Sequence, residues 1–196
     1  MGCLYRNRLH LSCWGIGMRE ITLLTAGYRK SNMPRVRQLI PPLTLLTPDG
    51  KTIHAWDFKQ KRNIVIGFLD AGCPLCEAFV RALSGHSAEL REKEATGLLA
   101  FPEGSSMSMS VPSPPEIIVG SDIGNQSIQR FLGEDALSPL GLARRAVFVT
   151  DRYGEIAGRW IIEGHDFPTI EQILSSLNQV EIACEECEVP FWPAEE

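Results

Sequence analysis

Between positions 39 and 180, the spacing of apolar residues alternates between that of strands and that of helices. Residues 64–69 are almost all apolar, which is typical of a central strand covered on both faces. A helix is expected from about Pro74, because apolar residues then recur at helical spacing: Leu75, Phe79, Val80, Leu83 and Leu90. Gly85 is expected to loosen this helix, and Gly97 to end it before a strand at 98–101. The pattern predicts a β-α-β unit with parallel strands.

Shorter segments surround this unit. Residues 48–50, Pro-Asp-Gly, predict a turn, because proline presets φ and glycine supplies a positive φ. Residues 102–115 contain four prolines and five serines and are predicted to form a loop. Thr169 and Gln172 have the spacing of a capping box before the last helix. We expect strands at 43–47, 51–55, 117–119, 146–150 and 155–162, and helices at 125–132 and 169–179.

Strands and helices alternate in this order, and the last two strands form a hairpin. The sequence therefore predicts an α/β fold with a mixed sheet. The chain of 196 residues, 44% of them hydrophobic and 22% charged, is long enough for one domain with a substantial core. This composition excludes a wholly disordered or fibrous chain. The net charge of −5 gives no support for nucleic-acid binding.

The charge is distributed unevenly and divides the chain into three predicted parts. Residues 1–37 hold seven basic residues and one acidic residue, and we expect a poorly ordered basic extension there. Residues 38–180 form the predicted α/β domain. Residues 181–196 contain six glutamates and no lysine or arginine, so an acidic tail is expected to follow the last helix.

The expected cellular compartment is inferred from two kinds of segment that the sequence lacks. No apolar run reaches the length of a membrane span, and the first residues lack the pattern of a signal peptide. We therefore expect no membrane association and a cytoplasmic location, where thiols are kept reduced. The six cysteines then suit catalysis, redox sensing or metal binding better than a disulfide framework.

The most informative motif is the pair Cys73 and Cys76, in Cys-Pro-Leu-Cys between the apolar strand and the helix. A helix N-terminus carries partial positive charge and unpaired N–H groups, both of which stabilise a thiolate. Cys73 is therefore the predicted nucleophile, and Cys76 is predicted to attack the mixed disulfide that Cys73 forms. The alternatives are a structural pair or half of a zinc site.

Asp70 lies three residues before Cys73 and has two candidate roles. It relays a proton to or from Cys76, or it raises the pKa values of the thiols by like-charge repulsion. The alternative is an ordinary solvated residue in a turn.

A second pair, Cys184 and Cys187, lies in the acidic tail. The glutamates there and the negative end of the preceding helix are both expected to raise thiol pKa values. These residues are therefore candidates for a redox relay rather than primary nucleophiles. The alternatives are a disordered acidic tail or a four-cysteine zinc site built from both pairs.

The order of elements, with Cys-x-x-Cys after a central strand, resembles the redoxin branch of the thioredoxin-fold superfamily, which includes the AhpC/TSA (peroxiredoxin-like) proteins. The resemblance rests on the hairpin at 43–55, the strand and Cys-Pro-x-Cys turn at 64–76, and the strand, Asp-x-x-Gly turn and strand at 148–162. It implies a thioredoxin-like fold, in which a central mixed β-sheet is flanked by helices and preceded by a β-hairpin.

The chain departs from both subfamilies that it resembles. Arg145 stands where thioredoxins place a cis-proline, and peroxiredoxins carry an arginine near this position that activates the reactive cysteine. The peroxiredoxin signature P-x-x-x-T-x-x-C is not met, because its proline and threonine positions hold Ile66 and Asp70. The resemblance implies that Arg145 stabilises the Cys73 thiolate or a developing oxyanion. The alternative is an arginine at the surface.

Three functions remain open from the sequence. The first is a thiol–disulfide oxidoreductase that cycles Cys73 and Cys76 between dithiol and disulfide. The second is a thiol peroxidase in which Cys73 attacks a hydroperoxide and Cys76 resolves the sulfenic acid. The third is a zinc-stabilised or redox-inert interaction module. The first two need no cofactor, act on a protein disulfide or a hydroperoxide, and use a thioredoxin-like or low-molecular-weight thiol as reductant; the oligomeric state stays open.

Overall fold

The computed structural model describes residues 33–105, 114–137 and 144–182. Its centre is a seven-stranded mixed sheet with the order β2-β1-β5-β4-β3-β6-β7. Strands β3, β4 and β5 are parallel, and the other neighbouring pairs are antiparallel. The strands are β1 (Thr44–Leu46), β2 (Thr52–His54), β3 (Asn63–Phe68), β4 (Ala95–Pro102), β5 (Ile117–Asp122), β6 (Arg145–Thr150) and β7 (Ile156–Ile162).

Helices cover both faces of the sheet. They are α1 (Pro74–Gly85), α2 (Ser87–Glu92), α3 (Gln126–Leu132) and α4 (Ile170–Ile182), with short 3-10 helices at Ala55–Phe58 and Ile123–Asn125. This order confirms the predicted α/β class, the hairpin before the central strand, and the parallel pairing of β3 with β4. Thr169 and Gln172 form the predicted capping box, with N–H to side-chain oxygen distances of 2.9 and 3.3 Å.

The central strand β3 supplies side chains to two separate cores, because successive residues of a strand point to opposite faces. Ile64, Ile66 and Phe68 pack on the face covered by α3, where the Phe68 and Phe131 ring centroids lie 4.9 Å apart. Val65 packs on the other face, against α1, α2 and α4. Burying a side chain of this size contributes about 1.5–3 kcal/mol. The sheet is thus fixed from both sides at the point where β3 leads into α1.

The predicted role of Gly97 as a helix stop is wrong. Helix α1 already ends at Gly85, and Gly97 lies within β4, where its N–H donates to the Glu116 carbonyl at 2.8 Å. A Cβ atom on Gly97 would lie 3.4 Å from Leu83 Cδ2. The glycine therefore allows α1 to pack closely on β4, a use that sequence alone does not distinguish from a helix stop.

The described chain begins at Met33, and its first residues pair with the start of β7. The Arg37 N–H donates to the Ile156 carbonyl, and the Ile156 N–H donates to the Gln38 carbonyl, both at 2.9 Å. Residues 1–32, residues 106–113 of the predicted loop and residues 183–196 lie outside the described part, so the three-part division at 37 and 180 stays a prediction. Across the described ranges, no helix has both the length and the apolar character that a membrane span requires.

Candidate active site

The Cys73–Cys76 pair lies where the carboxyl end of β3 turns into α1. Gly72 takes a φ of +70°, which suits glycine in a tight turn, and Cys73 then occupies the N-cap position with extended backbone. Its Sγ accepts the backbone N–H of Cys76 at 3.4 Å. Pro74 follows as the first helical residue, where its missing N–H removes no helical hydrogen bond. The local sequence therefore aims the N–H groups of a helix end at the Cys73 sulfur.

Cys76 lies one turn further along α1 and is 1% exposed. It belongs to the core on the α1 face of the sheet, together with Phe79 and Val80. Burial, followed by the neighbouring Cys73 sulfur, raises the pKa of the Cys76 thiol to about 12. Cys76 therefore stays a neutral thiol at physiological pH and donates its proton toward Cys73.

Arg145 reaches the pair from β6. The next residue, Ala146, is the antiparallel partner of Phe68 at the end of β3, so Arg145 begins β6 at the same edge of the sheet as the cysteines. Its Nη1 donates to Cys73 Sγ at 3.5 Å, and its Nη2 donates to the Gly164 carbonyl at 2.8 Å. A permanent cation thus lies against the sulfur that the sequence predicts to be nucleophilic.

Opposing effects act on the ionisation of Cys73, which is half-buried. Its partial burial disfavours the thiolate, but hydrogen bonds from the thiol and N–H of Cys76, from Arg145 and from the Leu75 backbone favour it. Together these hydrogen bonds outweigh burial and lower the pKa of Cys73 below the ordinary cysteine value. The pKa values of the two thiols are therefore shifted in opposite directions, so that ionisation is favoured at the more accessible sulfur.

Asp70 lies half-buried in the turn before the cysteines. A hydrogen bond from its backbone favours the Cys76 thiolate, whereas its carboxylate charge raises the pKa of Cys76. This electrostatic effect agrees with the like-charge role proposed for Asp70. The proton-relay role of Asp70 stays a prediction.

The structure brings four of the predicted site residues together and leaves two untested. Cys73, Cys76, Asp70 and Arg145 share one edge of the sheet. Cys184 and Cys187 lie outside the described residues, and so does half of the four-cysteine zinc site. Across residues 33–105, 114–137 and 144–182, no group of three or more His, Cys, Asp or Glu side chains is arranged to hold a metal ion.

Two residues of this edge were missed by the sequence analysis. Gly164 and Phe167 lie in the loop between β7 and α4; the Gly164 carbonyl accepts from Arg145, and the Arg145 guanidinium carbon lies 5.8 Å from the Phe167 ring centroid. The only sequence signal was a turn-like Glu-Gly-His-Asp stretch before a Phe-Pro pair. Neither spacing nor periodicity shows that this loop meets Arg145.

Comparison with known proteins shows which fold this arrangement belongs to. Neither the protein-family models nor the curated protein sequences give a match to the chain. Among solved structures, the chain is similar to the mitochondrial 2-Cys peroxiredoxin of Plasmodium falciparum, with a TM-score of 0.62 and 13% identity over 75% of this chain and 94% of that one. It is also similar to the peroxidoxin BcpB of Mycobacterium tuberculosis, with a TM-score of 0.62 and 15% identity over 74% and 97% of the two chains.

A third similar structure is described as a putative thiol:disulfide interchange protein DsbE of Chlorobium tepidum. It has a TM-score of 0.56 and 19% identity, over 73% of this chain and 98% of that one. The chain therefore has a thioredoxin-like fold, as the resemblance implied. At these identities the similarity establishes the fold, and the reaction has to be argued from the site.

Proposed function

We propose that the protein is a thiol–disulfide oxidoreductase that uses the Cys73–Cys76 dithiol. The observation that carries this proposal is the asymmetry of the pair. Cys73 Sγ receives the Cys76 N–H at 3.4 Å and an Arg145 N–H at 3.5 Å, whereas Cys76 is 1% exposed and its thiol pKa is raised to about 12. Cys73 is thus activated as the attacking thiol, and Cys76 stays protonated beside it as the resolving thiol.

The reaction balances with two thiols and one substrate disulfide. The Cys73 thiolate attacks one sulfur of the substrate disulfide, forming a mixed disulfide and expelling the other sulfur as a thiolate, which takes up a proton. Cys76 then loses its proton and attacks Cys73 Sγ, which releases the second substrate thiol. The substrate gains two electrons, and the protein is left with a Cys73–Cys76 disulfide that an external thiol reduces.

The contact between Arg145 and Cys73 also favours a second function, a thiol-dependent peroxidase. Here the Cys73 thiolate attacks one oxygen of a hydroperoxide, the O–O bond breaks, and the departing alkoxide or hydroxide takes up a proton. Arg145 stabilises the negative charge on that oxygen as the bond breaks. Cys76 then attacks the sulfenic acid, releasing water and forming the same disulfide. The absence of the peroxiredoxin proline and threonine, at Ile66 and Asp70, weighs against this function.

Trapping of mixed disulfides tests the order of attack. The Cys76→Ser variant is expected to hold a disulfide-bonded substrate through Cys73, because no second thiol remains to release it. The matched Cys73→Ser variant is expected to trap nothing. Equal trapping by both variants would contradict the assignment of Cys73 as the attacking residue.

Two assays on the wild-type chain distinguish the two reactions. The first follows reduction of insulin disulfides with dithiothreitol, and the second follows consumption of hydrogen peroxide with thioredoxin or dithiothreitol as reductant. We expect insulin reduction that depends on Cys73, and little peroxide turnover. The reverse result would favour the peroxidase. The absence of both activities, together with one tightly bound zinc per chain, would favour the third function, a zinc-stabilised interaction module.

We propose the cytoplasm as the compartment of this cycle, because a thioredoxin-like or low-molecular-weight thiol is available there to reduce the disulfide. The oxidised and reduced fractions of Cys73 in cells, measured by differential alkylation, test this proposal. A predominantly reduced Cys73 under unstressed conditions is expected. A permanent Cys73–Cys76 disulfide would contradict it.

A further inference from the structure

The loop between β7 and α4 contacts Arg145, which also contacts Cys73. This loop, residues 163–169, provides two contacts of different kinds. The Gly164 carbonyl accepts from Arg145 Nη2 at 2.8 Å, and the Phe167 ring centroid lies 5.8 Å from the guanidinium carbon. The other guanidinium nitrogen, Nη1, is the one that donates to Cys73 Sγ. The loop and the thiol therefore accept from different nitrogens of the same planar guanidinium group.

The loop is itself fixed to the helix that carries the cysteines. Phe167 packs on Phe79 of α1, with ring centroids 5.1 Å apart and planes inclined by 31°. Its N–H donates to the His165 carbonyl at 2.9 Å. Gly164 takes a φ of +69°, a conformation that suits glycine, and this sets the direction of its carbonyl. Arg145 is thus tied through the loop to the same helix as its sulfur partner.

We propose that the β7–α4 loop is a positioning element, in which the Gly164 carbonyl and the Phe167 ring hold the Arg145 guanidinium against Cys73. An arginine side chain has many rotamers, and only some of them bring its nitrogen to the sulfur. A carbonyl acceptor and an aromatic face select those rotamers before substrate arrives. The inference rests on the proposed function and deepens it, because it names residues that act on Cys73 through Arg145.

Several charged or titratable groups lie near Cys73 and could also change its reactivity. Arg145 comes from β6, Asp70 from the β3–α1 turn, and the titratable thiol of Cys76 from α1. The loop also carries Glu163, His165 and Asp166, whose side chains are exposed. The single variants Phe167→Leu and Gly164→Ala leave all of these groups in place, so a change in Cys73 reactivity in them reports on Arg145 rather than on a deleted charge.

The test measures the pH at which Cys73 is half-ionised, from the rate of its alkylation by iodoacetamide. Peptide mass spectrometry isolates Cys73 from the other five cysteines of the full chain. The variants are Phe167→Leu, which removes the ring, and Gly164→Ala, which opposes the positive φ and turns the carbonyl. The conservative variant Phe167→Tyr keeps the ring and is expected to retain the wild-type value.

Matched controls lie away from this edge. Phe58 is likewise half-buried, but it packs on the opposite face of the sheet, so Phe58→Leu removes a similar ring elsewhere. Gly50 has a φ of +79° with no atom within 4 Å of an added Cβ, the same condition as Gly164, and it lies in the β1–β2 turn. Both controls are expected to leave Cys73 unchanged.

We expect Phe167→Leu and Gly164→Ala each to raise the half-ionisation pH of Cys73 by about 0.5–1 unit, because Arg145 then donates to the sulfur for less of the time. At a pH well below the wild-type half-ionisation pH, this slows alkylation by about 3- to 10-fold. In an Arg145→Gln background, the same two substitutions are expected to change nothing further. A merely structural role would lower Tm equally in both backgrounds and leave the half-ionisation pH unchanged.

Two results would overturn the inference: an unchanged half-ionisation pH in folded Phe167→Leu and Gly164→Ala, or a shift of equal size with and without Arg145. Neither result bears on the proposed function, which is judged by mixed-disulfide trapping and insulin reduction. Conversely, a shift that depends on Arg145 in a protein without disulfide-exchange activity would support the positioning role and refute the function.

Discussion

Two arginines lie at opposite edges of the sheet and meet chemically different partners. At the edge where β4 and β5 begin, Arg91 of α2 donates through Nε to Glu116 Oε1 at 2.6 Å. At the other edge, where β3 ends, Arg145 donates to Cys73 Sγ at 3.5 Å. The first partner is a carboxylate that is charged throughout the physiological range, and the second is a thiol that becomes charged only when it is activated.

The physical effect is the same in both pairs, but the consequence differs. The hydrogen bond from Arg91 is the largest influence on Glu116 and lowers the pKa of that carboxyl. Since a carboxyl group is already ionised at neutral pH, only the stability of the fold is affected. Lowering the pKa of Cys73 instead increases the fraction of thiolate, which is the form that attacks a substrate in the proposed reaction. One edge of the sheet therefore holds a structural ion pair, and the other holds the pair that we propose to be reactive.

The largest expected effect comes from removing the reactive partner itself. Cys73→Ser is expected to lower insulin-disulfide reduction by about 1000-fold or more, because a serine hydroxyl is not ionised at neutral pH. Rates at saturating dithiothreitol, corrected for the uncatalysed reaction, measure this loss. The control is Ser84→Ala in α1, which leaves both thiols in place and is expected to keep the activity. A near-normal rate in Cys73→Ser would show that another residue is the nucleophile.

Arg145→Gln tests the cation of the reactive edge. Loss of one charge-assisted hydrogen bond is expected to raise the pKa of Cys73 by about 1 unit or more and to slow its reaction at pH 7 by about 10- to 100-fold. Stopped-flow reaction with a disulfide substrate measures the rate. The matched variant Arg91→Gln removes the same side chain from the other edge and is expected to leave that rate unchanged. An equal loss in both variants would refute the contrast between the edges.

The pH dependence of alkylation distinguishes the two thiols. For Cys73, whose pKa is lowered, the midpoint of the alkylation rate is expected to lie at a lower pH than that of an ordinary cysteine. For Cys76, whose pKa is raised to about 12, the rate is expected to keep rising through the whole accessible alkaline range. Cys73→Ser and Cys76→Ser assign each curve to one residue. Curves with the same midpoint would contradict the proposed asymmetry.

Asp70→Asn is expected to have a smaller effect. The carboxylate charge raises the pKa of Cys76, so its removal is expected to lower that pKa and to speed the release of the mixed disulfide by about 2- to 5-fold. Single-turnover release of the substrate thiol measures this step. Asp49→Asn, in the β1–β2 turn, serves as the control. A slower release in Asp70→Asn would instead support the proton-relay role.

The sequence predicts the elements that carry the cysteine pair, but it does not predict the contacts that support them. The apolar run at 64–69 and the Cys-Pro-Leu-Cys turn predict β3, α1 and the position of Cys73 at the start of the helix, because these features depend on neighbouring residues. The contact of Arg145 with Cys73 was implied only by the family resemblance. Gly164 and Phe167 were missed, because their contacts depend on how the loop docks. Gly97 was misread, because glycine serves both as a helix stop and as a site of close packing.

Glu116→Gln is the smallest and most selective change, since it alters the structural edge alone. The folded-state pKa of Glu116 lies below the unfolded value of about 4.3, so the pair contributes stability that is fully present above that pH and is lost as the pH falls through the folded-state pKa. The urea midpoint of the variant is therefore expected to be lower by a few tenths molar at pH 7 and to approach the wild-type midpoint as the pH falls through the folded-state pKa of Glu116. Alkylation of Cys73 is expected to be unchanged. A difference in midpoint that does not shrink as the pH falls below about 4.3 would show that the amide is at fault rather than the missing charge. A change in Cys73 alkylation would show that the two edges are coupled.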